Sequence, residues 1–176
     1  MKKTLISTFI AAACLTASGA AMAGNKDAVQ TGTVTTTVTG VTGVTITLTD
    51  NPQTVTTEDV KSPGVTLTTL GIEATGLDLS SAAGGNIAVE VDNDHIDGSG
   101  AWLFKDPTQP NSNLKARPKS APGSGWNHNP ENRIAYRLQN SSQDVNIQLP
   151  IETNLGNTNV TAGHYELPVT VSFNTW

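Results

Sequence analysis

The sequence predicts an all-β protein built as an antiparallel β-sandwich. Between Thr31 and Thr57, 13 of 27 residues are threonine, and β-branched runs of this kind disfavour helix. Further along the chain, short stretches alternate apolar and polar side chains at period two and are separated by turn-forming residues, as expected of strands that each bury one face. After the first 23 residues, no stretch carries an amphipathic helical period of useful length.

The first element is a leader over residues 1–23. A basic pair at residues 2–3 precedes an apolar stretch, and residues 21–23, Ala-Met-Ala, fit a signal-peptide cleavage site. We expect cleavage after Ala23, which leaves 153 of the 176 residues, enough for one domain. The alternative is a lipoprotein in which Cys14 is the lipidated first residue.

Composition argues against several classes of function. Cys14 is the single cysteine, so cleavage leaves no thiol for a disulfide, a zinc site or a nucleophile. Loss of the two leader lysines changes the formal net charge from −5 to −7, and an acidic chain is a poor partner for nucleic acid. No nucleophile-elbow or phosphate-loop motif occurs. We therefore expect no enzyme, no cofactor, no metal and no nucleic-acid partner.

Alternation at period two predicts the strands in order. They are GTVTTTVTG (32–40), GVTITLTD (43–50), VTLTTLGIEA (65–74), NIAVEVD (86–92), AWLF (101–104), RIAYRLQ (133–139), DVNIQLPIE (144–152) and YELPVTVSFNTW (165–176). In the third stretch the apolar face switches between Leu67 and Leu70, which predicts a bulge near Thr69. In the last stretch Pro168 has no N–H to donate, which predicts an unpaired side or a bulge.

Residues 105–132 are predicted to form a long, proline-rich loop. They contain four of the eight basic residues that remain after loss of the leader, and Trp126 and His128 lie nearby. We expect a solvated loop whose tryptophan packs back onto the sandwich. The alternative is a loop that touches acidic or sugar-bearing host surfaces.

The segment DNDHIDGSG gathers Asp92, Asp94, His95 and Asp97. It is similar to a calcium-binding loop, but Ile96 occupies the third ligand position, so the spacing fails. We therefore predict a polar turn after the strand at residues 86–92.

The strand at residues 32–40 has no nearby hairpin partner. A short polar segment, GNKDAVQT (24–31), precedes it as a flexible arm would, and the gap from Val38 to Val44 contains Gly40 and Gly43 and can serve as a hinge. These features are consistent with a strand that is offered to another molecule, a form of β-augmentation. The alternative is a strand that closes its own sandwich.

Both ends of the chain resemble chaperone–usher fimbrial subunits, in particular the Sef-type major subunits and related enterobacterial colonisation-factor pilins. The resemblance rests on MAGNKDAVQTGTV (22–34) and on TAGHYELPVTVSF (161–173), in which Ala162 and Gly163 make a turn before Tyr165. The resemblance covers both ends of the chain, and in the middle of the chain it is limited to the pattern of strands.

The resemblance implies an incomplete immunoglobulin-like antiparallel β-sandwich completed by donor-strand exchange. Its parts would be a signal peptide (1–23), an N-terminal donor-strand extension (24–39) and a pilin β-sandwich domain (40–176). The implied donor side chains are Val29, Val34, Thr36 and Val38. The implied acceptor-groove side chains are Tyr165, Leu167, Val169, Val171 and Phe173.

The implied function is that of a structural major subunit of a cell-surface fimbrium, exported through the periplasm and mediating cell adhesion. Its partners would be identical subunits in a homopolymer, a periplasmic chaperone, an outer-membrane usher and a host receptor. Two alternatives stay open. One is a minor or tip fimbrial adhesin, and the other is a self-complete secreted β-sandwich that binds carbohydrate or protein.

Overall fold

The computed structural model describes residues 28–31, 44–80, 82–121, 123–128, 132–139 and 144–176. In these ranges the chain forms β-strands and two single-turn 3₁₀ helices, neither of which has the length and hydropathy of a membrane-spanning helix. The predicted all-β class is confirmed. The predicted leader and the predicted strand at residues 32–40 lie outside the described residues.

The strands are two to ten residues long. In chain order they are β1 (Ala28–Thr31), β2 (Thr45–Pro52), β3 (Thr54–Thr56), β4 (Thr66–Thr75), β5 (Gly85–Glu90), β6 (Trp102–Asp106), β7 (Gln109–Pro118), β8 (Trp126–His128), β9 (Arg133–Arg137), β10 (Val145–Thr153), β11 (His164–Tyr165) and β12 (Thr170–Thr175). The 3₁₀ helices span Asp59–Lys61 and Asn93–His95.

Two antiparallel sheets enclose one core, which confirms the predicted sandwich. The first has the order β2-β4-β10-β7-β6 and the second the order β12-β5-β9-β8, while a small third sheet has the order β11-β1-β3. Leu70 and Leu149 of the first sheet and Ile87 and Ile134 of the second are fully buried in a shared hydrophobic cluster. Removal of these side chains from water provides the main force that holds the two sheets together.

The predicted bulge in β4 is confirmed, at Leu67 rather than at Thr69. The ladder between β4 and β10 shifts register between Ile151 and Glu152, so that Leu67 is skipped. Leu67 and Leu70 would lie on opposite faces of a regular strand, yet both are fully buried. The extra residue is what lets both side chains reach the core.

The prediction of a long loop over residues 105–132 is wrong. β6 and β7 form an antiparallel hairpin, and β8 adds an outer strand to the four-stranded sheet. Ser112, Leu114 and Ala116 of β7 face inward in alternation with more exposed neighbours. Because two of these side chains are small or polar, the period-two pattern is faint in hydropathy. The expectation that Trp126 packs back onto the sandwich is confirmed, since this residue is only 7% exposed.

The predicted C-terminal strand is interrupted around Pro168, as its missing N–H indicated. Before the break, Glu166 exchanges two backbone hydrogen bonds of 2.9 Å with Lys105 at the end of β6. After the break, β12 pairs with β5 in the other sheet. The last strand therefore begins on one sheet and ends on the other.

The predicted polar turn in DNDHIDGSG is confirmed, and Asp97 organises it. Its carboxylate accepts hydrogen bonds from Ser99 N (2.8 Å), Ser99 Oγ (2.6 Å) and Ala101 N (3.0 Å), and it pairs with Lys115 Nζ at 2.8 Å. Desolvation by burial acts to raise the pKa of Asp97, but the hydrogen bonds from Lys115, Ser99 and Ala101 outweigh it and hold the pKa well below its usual range.

We expect Asp97→Asn to lower the free energy of unfolding at neutral pH by about 2 kcal/mol, because it removes a charged acceptor of several hydrogen bonds. A carboxyl whose pKa is depressed on folding stabilises the fold above its unfolded pKa of about 3.9, and this contribution is lost as the pH falls through the folded pKa. Urea unfolding at a series of acidic pH values should therefore show a smaller loss of stability for Asp97→Asn than for the parent. Asp94→Asn, at an exposed position, is the control. Identical acid dependence of parent and Asp97→Asn would contradict the prediction.

Candidate strand-exchange site

The candidate site is the small sheet in which the N-terminal strand meets the C-terminal strand. β1 lies between β3 and β11. Against β3 it runs antiparallel, with Val29 opposite Val55, and against β11 it runs parallel, with Gln30 opposite His164 and Thr31 opposite Tyr165. Among the strands that the structure describes, β1 and β11 are the one parallel pair. Parallel pairing is slightly less stable per residue than antiparallel pairing.

Little backbone pairing holds β1 in place. It has three residue pairs with β3 and two with β11. The expectation of a flexible polar arm over residues 24–31 is wrong for residues 28–31, which form this strand. The physical reason is twofold: Val29 and Thr31 are β-branched, and the edges of β3 and β11 present backbone groups that need partners.

The predicted donor residues are only partly within the described chain. Val29 lies in β1 opposite Val55, a residue that is 7% exposed. Val34, Thr36 and Val38 lie outside the described residues.

The predicted groove residues lie along the interrupted last strand. Tyr165 is in β11, Leu167 and Val169 are in the break, and Val171 and Phe173 are in β12. All are buried except Phe173, which is half-buried, and all belong to or pack against the core. The alternation read from the sequence therefore places these side chains inward, and their use as an acceptor groove stays a prediction.

The backbone of β12 has one paired side in the described part of the chain. It pairs with β5 over its whole length, from Thr170 opposite Glu90 to Thr175 opposite Gly85. Its sheet has the order β12-β5-β9-β8, so β12 is an outer strand. An outer strand offers N–H and C=O groups to a further strand.

Tyr165 fixes the start of the last strand. Its hydroxyl donates to the backbone carbonyl of Thr161 (2.8 Å) and hydrogen-bonds to Ser112 Oγ in β7. A tyrosine that bonds back to the backbone a few residues upstream, at the corner before a late strand, is the tyrosine corner of immunoglobulin-like sandwiches. The corner ties the entry of β11 to the β6–β7 hairpin.

Asp106 reinforces the same corner from the hairpin side. It is 2% exposed, and its carboxylate accepts hydrogen bonds from Thr108 N (2.8 Å), Thr108 Oγ1 (2.7 Å) and Gln109 Nε2 (2.9 Å). Gln109 Nε2 also donates to the carbonyl of Ala162 (3.1 Å). A Cβ at Gly163 would overlap Asp106 Oδ2, so this position requires glycine for close approach.

Hydrogen bonding dominates the electrostatics of Asp106. Burial alone acts to raise the pKa of this carboxyl, but the bonds from Thr108 and Gln109 and from the backbone N–H of His164 outweigh it and lower the pKa. The carboxylate is therefore charged and fully engaged. Sequence reasoning missed Asp106, although its Asp-Pro-Thr-Gln context is typical of a side-chain-capped turn.

In the described residues, no group of three or more His, Cys, Asp or Glu side chains is placed to hold a metal ion. The polar groups of the corner are instead paired with one another. The arrangement is suited to aligning strands rather than to chemistry on a substrate.

The sandwich and the tyrosine corner define an immunoglobulin-like β-sandwich in which β12 is an outer strand. Residues 25–176 match the family described as Dr-family adhesin, and the chain belongs to this family. The family supports adhesion as the class of function and the extracellular surface as its place, and it is a family of adhesins rather than enzymes. No match is found among curated proteins.

Several solved structures are similar to this chain. The Salmonella SafD adhesin has 16% identity and a TM-score of 0.48 over 69% of this chain and 82% of its own. HdaB, the minor tip subunit of the E. coli Hda pilus, has 20% identity and a TM-score of 0.47 over 76% and 82%. A chain from the AAF fimbriae of enteroaggregative Escherichia coli, described for fibronectin binding and biofilm formation, has 14% identity and a TM-score of 0.42 over 75% and 98%.

Proposed function

We propose that this chain is a repeating structural subunit of a chaperone–usher fimbrium, of the Sef-type major kind, that polymerises by donor-strand complementation and mediates adhesion. The observation that carries the proposal is the weak hold on the N-terminal strand beside an outer C-terminal strand. β1 has two parallel residue pairs with β11, and β12 is paired on one side in the described chain. Such a strand is easily exchanged for one from another copy.

In the proposed assembly, residues 24–39 of one copy complete the sandwich of the next. Val29, Val34, Thr36 and Val38 are the donor side chains, and each buried valine contributes about 1.5–3 kcal/mol. Val29 is out of phase with Val34 and Val38 along a regular strand, so all three can be donor side chains only if the exchanged strand shifts register near Gly32. The added strand also pairs with the backbone along the outer side of β12.

The acceptor in this proposal is the last strand of the neighbouring copy. Its inward side chains are Tyr165, Leu167, Val169, Val171 and Phe173. A periplasmic chaperone covers this strand before assembly, and at the outer-membrane usher the next subunit replaces the chaperone. The domain limits of the proposal are 1–23, 24–39 and 40–176, and the assembled fibre presents its loops to a host receptor.

Two purified proteins test the proposal. One is residues 24–176, and the other is residues 40–176 with residues 24–39 appended after Trp176 through a flexible linker. Because β12 ends at Thr175, the appended segment can turn back antiparallel along β12. We expect the first protein to form SDS-resistant chains and the second to be a stable monomer with cooperative melting.

The opposite result identifies a self-complete sandwich. If residues 24–176 form a stable monomer and no chains at any concentration, polymerisation is wrong. A third protein, residues 40–176 bound to its chaperone, separates the two halves of exchange: it should accept an added 24–39 peptide but never extend a chain. Extension by that protein would show that the N-terminal segment is not the donor.

A further inference from the structure

A surface cleft lies where the end of β7, which pairs with β10 in the five-stranded sheet, comes next to β8 of the other sheet. It consists of two cavities of about 410 and 360 Å³ that share Lys119 and Ala121 as lining residues. Volumes of this size suit a small ligand such as one or two sugar units. In the four-stranded sheet, β8 is the strand farthest from β12, so strand exchange at β12 leaves this cleft open.

One end of the cleft is basic although the chain as a whole has a formal net charge of −5. Arg117, Lys119 and His128 line it, together with Glu152. Glu152 is only 5% exposed and pairs with Lys119 Nζ at 2.5 Å, while Arg117 lies opposite it in the ladder and is exposed. Because Lys119 is paired with Glu152, the exposed guanidinium of Arg117 gives the described lining of this end a positive formal charge.

The other end of the cleft is aromatic and carries amides. Trp126 and Tyr136 pack edge to face, with ring centroids 5.4 Å apart and an interplanar angle of 68°. Trp126 Nε1 donates to the carbonyl of Gln148 (3.1 Å), which fixes the indole, and the side chains of Asn146 and Gln148 are exposed at the rim.

The lack of a side chain at Gly125 lets the Tyr136 ring lie close to the backbone. The φ of Gly125 is +83°, and a Cβ there would lie 2.6 Å from the ring. The ring therefore lies directly over the backbone of the turn before β8. Tyr136 is half-buried, so part of the phenol stays accessible from the cleft.

We propose that this cleft binds a saccharide that carries a carboxylate. Sugar rings present C–H faces that pack on aromatic side chains, and their hydroxyls pair with amides such as those of Asn146 and Gln148. The carboxylate binds at the basic end, where the planar guanidinium of Arg117 forms paired hydrogen bonds with it. The inference deepens the proposed adhesive function by naming a receptor class, and in a fibre the repeated cleft binds multivalently.

Sialyllactose and lactose are matched probes, because they differ by one acidic sugar. Isothermal titration of the folded 24–176 chain should show sialyllactose binding at least about tenfold tighter than lactose, the effect expected of one charged hydrogen-bonded contact. Arg117→Gln should remove most of that difference. Lys61→Gln removes the same charge from the 3₁₀ helix Asp59–Lys61 and is the control; it should leave both affinities unchanged.

Glu152→Gln gives a change in the opposite direction. Among the described residues that line the basic end, Glu152 is the one carboxylate, so its removal should make sialyllactose bind more tightly while lactose is unaffected. Melting curves show that each variant is folded before titration. The inference is wrong if the parent does not distinguish the two sugars, or if Lys61→Gln weakens sialyllactose binding as much as Arg117→Gln does.

The titration tests the cleft assignment and the polymerisation test examines the fimbrial assembly, so either proposal can fail without the other. A monomeric chain that distinguishes the sugars would overturn the fimbrial assembly and leave the cleft assignment standing. A chain that forms SDS-resistant polymers without distinguishing the sugars would overturn the cleft assignment alone.

Discussion

Gly163→Ala should lower the free energy of unfolding by about 3 kcal/mol, because there is no room for a methyl group at this position. The added Cβ would overlap Asp106 Oδ2 and lie 2.9 Å from Gln109 Nε2. Asp106 is 2% exposed and hydrogen-bonded to the hairpin turn, so it cannot move into solvent without breaking those bonds. Urea unfolding of the monomeric form with the appended donor segment measures the loss.

Gly98→Ala is a matched control. A Cβ at Gly98 would meet nothing within 4 Å, so we expect a change within about 0.5 kcal/mol. If the two alanine variants unfold at the same urea concentration, close approach to Asp106 does not require glycine at position 163. Asp106→Ala in the Gly163→Ala background provides a further check, since removing the carboxylate removes the overlap and makes the two effects less than additive.

Val34→Asp combined with Val38→Asp should abolish SDS-resistant chains of the 24–176 protein. Each valine is a proposed donor side chain, and loss of its burial removes about 1.5–3 kcal/mol from the exchanged strand. Burying an unpaired carboxylate in the same groove is costlier still. Gel electrophoresis of unheated samples measures the polymer, and circular dichroism monitors the fold.

Thr35→Asp combined with Thr37→Asp adds the same charges to the opposite face of the same strand. This control should polymerise close to the parent level. If the threonine variant loses its chains and the valine variant keeps them, the donor register is shifted by one residue. If neither variant is impaired, residues 34–38 are not the donor strand.

The strongly alternating strands were predictable because a strand that buries one face has apolar residues at every second position. β4, β5 and β10 each carry two or more large, buried apolar residues in alternation, and all three occur where expected. β7 was missed because its inward positions include Ser112 and Ala116, whose burial depends on the partner strand rather than on their own hydropathy. Prolines at positions 110 and 118 further obscured it.

Of the candidate site, only the C-terminal strand was predictable from the sequence. The inward alternation from Tyr165 to Val171 could be read directly, and the interruption near Pro168 followed from its missing N–H. The contact of Gly163 with Asp106 could not be read, because it joins residues far apart in the chain through a hairpin that the sequence conceals. The pairing of β1 with β3 could not be predicted either. β3 consists of three residues, Thr-Val-Thr, and so short a segment does not indicate which strand it pairs with.

The passage of the last strand from one sheet to the other has a mechanical consequence. Glu166 is bonded to β6 of the first sheet, and β12 is bonded to β5 of the second. In an antiparallel ladder these bonds lie across the strand, so tension along the strand loads them in shear and they resist together. In the proposed fibre, a pull on a neighbour anchored along this strand would be shared by both sheets, and rupture of the subunit would require both ladders to yield.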